Sequence, residues 1–378
     1  METNENVTVR RDPSPGSWDT RDGRLARFGI ELRRADDGAW SLSLPRPRAL
    51  GPGTSLRSAN EGAEPPADFT EILWPLLDGR RLHPDVASPP HALTEPDRHI
   101  GRLLGRAGDD VVRAIPWVRT GDADPAHVRA ARTAVRRLRT HIRSARDVMA
   151  EPPEAWAGLR TLNDHLRGVR DLDIAEQTLP RLHRLARGEP TIGRGNEALQ
   201  ELLLELRQDR RRHRNELWAE LVHPRTADLV NAVTELRQIE LRADAQASTD
   251  EELARVTLRT QVDVARNRAR SAVDGDRGDL LALRTSLRRV RVIASAASGV
   301  LGDDARRLAR RAVEVQDSLG ELADLDKTER WLQTRDSGRH QAVARELAQV
   351  AGEEMAAMNG AWRPPWERFT RRRVLRWL

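Results

Sequence analysis

The stretch LNDHLRGVRDLD, residues 162–173, returns 153 positions later as VQDSLGELADLD, residues 315–326. Leu162, Asp164, Leu166, Asp171, Leu172 and Asp173 answer Val315, Asp317, Leu319, Asp324, Leu325 and Asp326, with no gap needed. One helical phrase written twice at so long a distance reads as a duplicated unit.

A second pair of stretches carries the same message. In VRAARTAVRRLRTHIRSARDVM, residues 128–149, the apolar positions Val128, Ala131, Val135, Leu138, Ile142, Ala145 and Met149 alternate by three and four. That is the buried seam of a helix. One position behind it runs a row of arginines: Arg129, Arg132, Arg136, Arg139, Arg143 and Arg146, with Arg137 beside them. Each is turned about 100° from its apolar partner, onto the edge of the packed face. No acidic residue interrupts His127 to Arg146. LRTSLRRVR, residues 283–291, repeats the device: Leu283, Leu287 and Val290 form the seam, and Arg284, Arg288 and Arg291 follow one step behind. Arg132, Arg136, Arg137 and Arg139 map onto Arg284, Arg288, Arg289 and Arg291 at an offset of 152. The two anchors agree within one residue.

A solvated helix face normally mixes charge signs, with Glu four residues ahead of Arg. A line of like charges costs a few tenths of a kcal/mol per adjacent pair. Two such lines therefore point to an anion that offsets the repulsion. The other reading, a solvated face with carboxylates nearby, stays open at the level of sequence.

Around these anchors the chain divides in two. From about residue 97 to 375 it reads as helical, with halves of about 97–224 and 225–375 and ten to twelve helices in all. Breaks are expected at Gly121–Pro125, Pro152–Pro153, Gly188–Gly195, His223–Pro224, Gly275–Gly278 and Gly360–Pro365. Residues 1–95 differ. There RFGIELRR, ADDG and AWSLSLP alternate around a turn signal and predict a hairpin. Arg46 to Pro96 reads as loop with one helix near Phe69 to Leu77.

The bulk numbers set the limits. Of 378 residues, 38% are hydrophobic and 32% charged, enough for a core under a heavily charged surface. Lysine plus arginine total 64, of which only Lys327 is lysine, and the formal net charge is +6. An arginine fork grips phosphate with two parallel bonds and stays charged. Cysteine is absent, which excludes disulfides, thiol nucleophiles and zinc thiolates. No run of about 18 apolar residues is present, so no membrane span is expected. METNENVTVRRD lacks the apolar core of a signal peptide, and a cytoplasmic location is expected by default.

RTAVRRLR with LRGVRDLD, followed by LRTSLRRVR with VQDSLGELAD, resembles a CHAD domain, the conserved histidine α-helical domain, over about residues 97–370. The resemblance implies a mainly α fold of two pseudo-twofold-related four-helix bundles. It also implies a central basic groove that binds inorganic polyphosphate without catalysis. The residues it assigns to the groove are Arg129, Arg132, Arg136, Arg137, Arg139, Arg143, Arg170, Arg284, Arg288, Arg289 and Arg291. No cofactor is expected. A granule-associated protein is one implied setting. The family histidine falls at Arg129 in the first half and Leu281 in the second, so this member is divergent. His127, two residues off, points elsewhere on a helix.

The N-terminal part, WDTRDGRLARFGIELRR followed by GAWSLSLP, is similar to a piece of a CYTH domain, the triphosphate tunnel fold. That family carries an ExExK strand for metal and phosphate. VTVRR, residues 7–11, stands there instead, and Ser43 occupies a lysine position. A degenerate, truncated remnant without hydrolytic activity is expected.

The remaining features are read in the plainer way. Asp171, Asp173, Asp324 and Asp326 are expected to cap helices and brace arginines rather than hold metal, and no catalytic or metal site is expected. RQDRRRHR, residues 207–214, is a basic patch for solvent, nucleic acid or the same groove. WERFTRRRVLRWL at the C-terminus is amphipathic and expected to pack as a last helix, with a membrane-surface role as the other reading. Nucleic acid is the competing polyanion, against which stand 3% aromatic residues and no tyrosine.

Overall fold

The computed structural model describes residues 16–45, 54–58, 62–86, 98–120, 124–187, 194–335 and 340–378. The expected breaks at Gly121 and Gly188 begin on residues outside these, as does VTVRR. The protein is mainly helical with one small antiparallel sheet. It forms two compact units: residues 1–139, 151–166 and 216–240, and residues 140–150, 167–215 and 241–378.

In the first unit the expected hairpin is present and belongs to a larger sheet. Strands β1 (Ser17–Asp19), β2 (Glu31–Arg34), β3 (Trp40–Leu44), β4 (Thr54–Ser58) and β5 (His83–Pro84) run in the order β4-β3-β2-β1-β5, all neighbours antiparallel. The ADDG turn closes with Ala35 N–H donating to Ala39 O at 2.8 Å. Alternation fixes the register: Leu32, Trp40, Leu42 and Leu44 are buried while their neighbours are not. Between β1 and β2 lies α1 (Arg24–Arg27). Buried Asp19 accepts the backbone N–H groups of Leu25 at 2.8 Å and Ala26 at 2.9 Å there. Burial raises its pKa, and those bonds pull it back.

Helix α2 (Ala67–Leu77) falls where the apolar spacing places it. Next come α3 (His99–Arg119) and α4 (Pro125–Ala145), then α5 (Ala155–Arg187), α6 (Arg194–Val222) and α7 (Pro224–Glu235). Helix α3 packs on α7 because two glycines allow it. A Cβ at Gly108 would lie 2.9 Å from Val233, and one at Gly105 would lie 2.6 Å from Arg237. The sheet is tied to these helices: Arg113 Nε donates to Phe28 O at 3.1 Å, and Trp117 Nε1 to Pro45 O at 3.0 Å.

The second unit is built on α9 (Asp250–Ser271) and α10 (Arg277–Ser318), which pack along their lengths. A short α8 (Ala243–Gln246) precedes them. After them come α11 (Gly320–Gln333), α12 (Gln341–Ala357), α13 (Arg363–Thr370) and α14 (Arg372–Leu375). The core joins Leu258 and Val262 of α9, Leu283, Leu287 and Val290 of α10, and Leu322, Leu347 and Phe369. Phe369, Val374 and Leu375 are buried in it, so the C-terminal segment packs as an interior face. Among the described residues no helix is long and apolar enough to cross a membrane.

Three expected breaks hold as written: around Pro152, at His223–Pro224, where His223 caps α7, and at Gly275 before α10. The break expected at Gly360–Pro365 falls a little earlier, between Ala357 and Arg363. Several others were not expected, two of them in or next to α10. Gly302 interrupts α10 with φ 66° and ψ −145°, and Leu319 separates α10 from α11. Gly275 stands at φ 79°, a conformation that L side chains adopt at a cost of about 1–2 kcal/mol. A Cβ there would also run into the Asn359 side-chain amide. Gly275→Ala is therefore expected to destabilise the protein by at least that much, read as a lower thermal midpoint.

Candidate functional site

The α4 seam is buried as the spacing demands. Val128, Ala131, Val135, Leu138, Ile142 and Ala145 are each less than 5% exposed. Each buried Val, Leu or Ile side chain contributes about 1.5–3 kcal/mol, several times the repulsion between adjacent arginines. The seam therefore dictates where the arginine row sits. Arg132, Arg136 and Arg139 are half-buried at its edge, and Arg129, Arg137 and Arg143 are exposed. On α10, Leu283, Leu287 and Val290 are fully buried, and Arg284, Arg288, Arg289 and Arg291 are half-buried.

Arg129, Arg132, Arg136, Arg137 and Arg139 belong to the first unit. Arg137 lies 3.4 Å from Asp110 of α3. The Arg139 guanidinium stacks over Trp156 at 5.2 Å from the ring centroid. Arg143, Arg170, Arg284, Arg288, Arg289 and Arg291 belong to the second unit. Two of these face acids. Burial pushes Arg284 below the ordinary arginine range, and Asp324 and Asp317 pull it back; its Nε meets no acceptor among the described residues. Arg170 sits 3.9 Å from Asp173.

Arg289 differs. Burial lowers its pKa, and the neighbouring charges of Arg143 and Arg268 push it further the same way. The end of α4 and α9 thus bring the charges of Arg143 and Arg268 within electrostatic reach of Arg289 on α10. Neither Arg268 nor Arg289 is ion-paired to a carboxylate among the described residues. Like charges gathered in this way favour an anion beside them. Arg268 is absent from the sequence-derived set. It precedes buried Ala269 by one position instead of following a seam residue, so the one-step-behind rule passes over it.

The remaining charged motifs are occupied. Asp173 is 2% exposed and is held by Arg210 at 2.9 Å as well as Arg170. Asp171 accepts from Arg167 at 3.2 Å. In the second copy, Asp324 pairs with Lys327 at 2.7 Å, and buried Asp326 pairs with Arg277 and Arg330, each at 2.6 Å. These carboxylates brace arginines. Among the described residues no three His, Asp or Glu side chains gather as a metal would need. In the basic patch of α6, Arg207 and Arg210 reach Glu176 at 2.8 and 3.2 Å, and Arg212 reaches Asp209 at 3.5 Å. At the two family-histidine positions, Arg129 is exposed and Leu281 packs partly buried against the core. His127 packs against Trp117, with ring centroids 4.9 Å apart and planes tilted by 55°.

The family model for the CHAD domain matches residues 102–333, well over half of the chain. The chain belongs to the CHAD domain family. Solved structures agree on the fold. The CHAD domain of the plant Ricinus communis superposes with a TM-score of 0.54 at 23% identity, covering 74% of this chain and 91% of that one. PptA from Streptomyces chartreusis gives 0.57 at 17% identity, covering 71% and 98%. No curated protein matches this CHAD protein.

Proposed function

We propose that this CHAD protein binds inorganic polyphosphate, or a similar linear polyanion, without chemically altering it. The observation that carries the reading is the meeting of Arg143, Arg268 and Arg289. Three forked donors on three helices offer repeated phosphate contacts, and two of them, Arg268 and Arg289, have no carboxylate partner among the described residues. The phosphate chain removes the mutual repulsion that the empty cluster retains. Counterion release supplies much of the affinity, as it does for the phosphate backbone of nucleic acids.

The two written copies support an internal duplication. Leu162, Leu166, Leu172 and Asp173 match Val315, Leu319, Leu325 and Asp326 in burial as well as in sequence. The CYTH-like sheet fits the absence of hydrolysis in this reading, because β3 carries Ser43 where that resemblance places a phosphate-gripping lysine. A cytoplasmic protein retained on polyphosphate granules is the setting this chemistry suits.

Competition tests the ligand class. Long-chain polyphosphate, single-stranded and duplex nucleic acid are titrated at matched phosphate concentration against bound fluorescent polyphosphate. Polyphosphate should compete best. The plot of log affinity against log salt should be linear, with a slope of about −2 or steeper for three or more neutralised phosphates. Equal competition by nucleic acid would move the assignment to a general polyanion binder. Salt-independent affinity would remove the arginine cluster from it altogether.

A further inference from the structure

The first unit holds a cavity of about 1140 Å³ that the polyanion reading leaves unused. Its wall combines two tryptophans, Trp18 and Trp74, with Arg81, Arg119 and the carboxylates Glu64 and Glu71. Trp74 of α2 is 45% exposed, high for so large an apolar side chain. Its indole N–H donates to Val222 O at 3.0 Å, which fixes the ring while leaving much of its surface open. A pinned ring loses little freedom when a flat ligand stacks on it.

Arg119, the last residue of α3, supplies the second half of the argument. Its side chain is only 11% exposed, yet its ion-pair partner Glu71 stands at 3.7 Å and is 74% exposed. Burial pushes its guanidinium below the ordinary range, and its Nε finds no acceptor among the described residues. A buried cation compensated, among the described residues, by one distant and solvated carboxylate is poised for a closer anion. Arg80, by contrast, is already held by Asp22 at 3.2 Å and Asp78 at 2.7 Å. The chemistry that matches an open indole, an under-compensated arginine and two carboxylate acceptors has three parts. It is a flat ring, an anionic tail, and amino groups on the ring.

We propose that this cavity binds a nucleotide, with its base on Trp74 and its phosphate on Arg119. Arg81 at the exposed rim assists the phosphate, and Glu64 or Glu71 accepts from the base's amino group. The cavity is somewhat larger than the usual small-molecule site of about 300–1,000 Å³, which leaves room for a whole mononucleotide. The same chemistry comes from a free nucleotide or from the end of a nucleic-acid strand. None of these residues belongs to the Arg143, Arg268 and Arg289 cluster, so the two sites can fail separately.

Isothermal titration decides it, using ATP, AMP, a short 5′-phosphorylated oligonucleotide and inorganic triphosphate. ATP or AMP, or the oligonucleotide, should bind saturably. Trp74→Ala and Arg119→Gln should each weaken binding about tenfold or more, since one stacked base contributes roughly that. Trp74→Phe should retain most of the affinity, and the Arg268→Gln, Arg289→Gln double variant all of it. Inorganic triphosphate should displace poorly. Tighter binding of ATP and AMP identifies a free nucleotide, and tighter binding of the oligonucleotide identifies a strand end. The proposal falls if no nucleotide-bearing probe saturates below about 1 mM, a weak-binding limit. It falls equally if a correctly folded Trp74→Ala protein binds as well as the parent, or if inorganic triphosphate displaces ATP at equal phosphate.

Discussion

Replacing Arg143, Arg268 and Arg289 together by glutamine should reduce polyphosphate affinity at least a hundredfold. Each charge-assisted contact contributes about 1.5–3 kcal/mol, and every 1.4 kcal/mol is a factor of ten. Even with partial compensation by neighbouring arginines, three lost contacts exceed two decades. The same variant should lose the ligand's stabilising effect. The parent gains about 2.7 kcal/mol at a ligand concentration a hundred times its Kd, and so a higher thermal midpoint; the variant should gain almost none. Without ligand the order reverses. Arg268 and Arg289 add like charge when the site is empty, so the ligand-free Arg268→Gln, Arg289→Gln double variant should melt no lower than the parent, and slightly higher at low salt. Glutamine at Arg207, Arg211 and Arg212 removes the same formal charge from a patch in which Arg207 and Arg212 already reach carboxylates. That control should cost only a few-fold through weakened long-range attraction. Similar losses in both variants would mean that net charge alone governs binding.

What the sequence disclosed here followed from burial, which leaves a periodic trace. The α4 seam from Val128 to Met149, the α10 seam at Leu283, Leu287 and Val290, and the interior face of the C-terminal segment could all be read from spacing. Hence the helical class and the edge position of the arginine rows were legible. The elements missed had little periodicity to offer. Strand β4 contributes one strong apolar residue, Leu56, and β5 is two residues long; both exist because β3 and β1 lie beside them. The breaks at Gly302 and Leu319 lie inside otherwise unbroken helical patterns. The partners of the arginines were less legible still. Arg284 and Arg289 stand five positions apart on one helix, the first just after buried Leu283 and the second just before buried Val290. One faces Asp317 and Asp324, the other faces Arg143 and Arg268. Only packing between distant helices distinguishes a braced arginine from one left for a ligand. Sequence spacing places both beside the seam and says nothing of what they meet.

Asp173→Asn is expected to be among the most destabilising single substitutions in the second unit. The change is nearly isosteric, so packing around Leu172 and Ile174 should be preserved and the loss is electrostatic. The carboxylate is 2% exposed, and its partners Arg170 and Arg210 expose only 13% and 20% of their side chains. Removing one partner of a buried pair leaves cations that water solvates poorly, at a cost of about 3–5 kcal/mol. Glu176, 3.2 Å from Arg210, compensates one of the two, which argues for the lower end. A loss of about 3 kcal/mol lowers the thermal midpoint by about 6–12 °C in a unit of this size. The double replacement Asp173→Asn with Arg210→Gln should recover part of that loss, because it removes an unpaired charge as well as a pair. Polyphosphate affinity, measured below the new midpoint, should stay close to that of the parent, since the cluster on α4, α9 and α10 does not include this pair. A large loss of affinity in the folded Asp173→Asn protein would instead place Arg170 or Arg210 among the ligand's contacts. A midpoint within about 2 °C of the parent would show that water, not Asp173, already solvates both arginines.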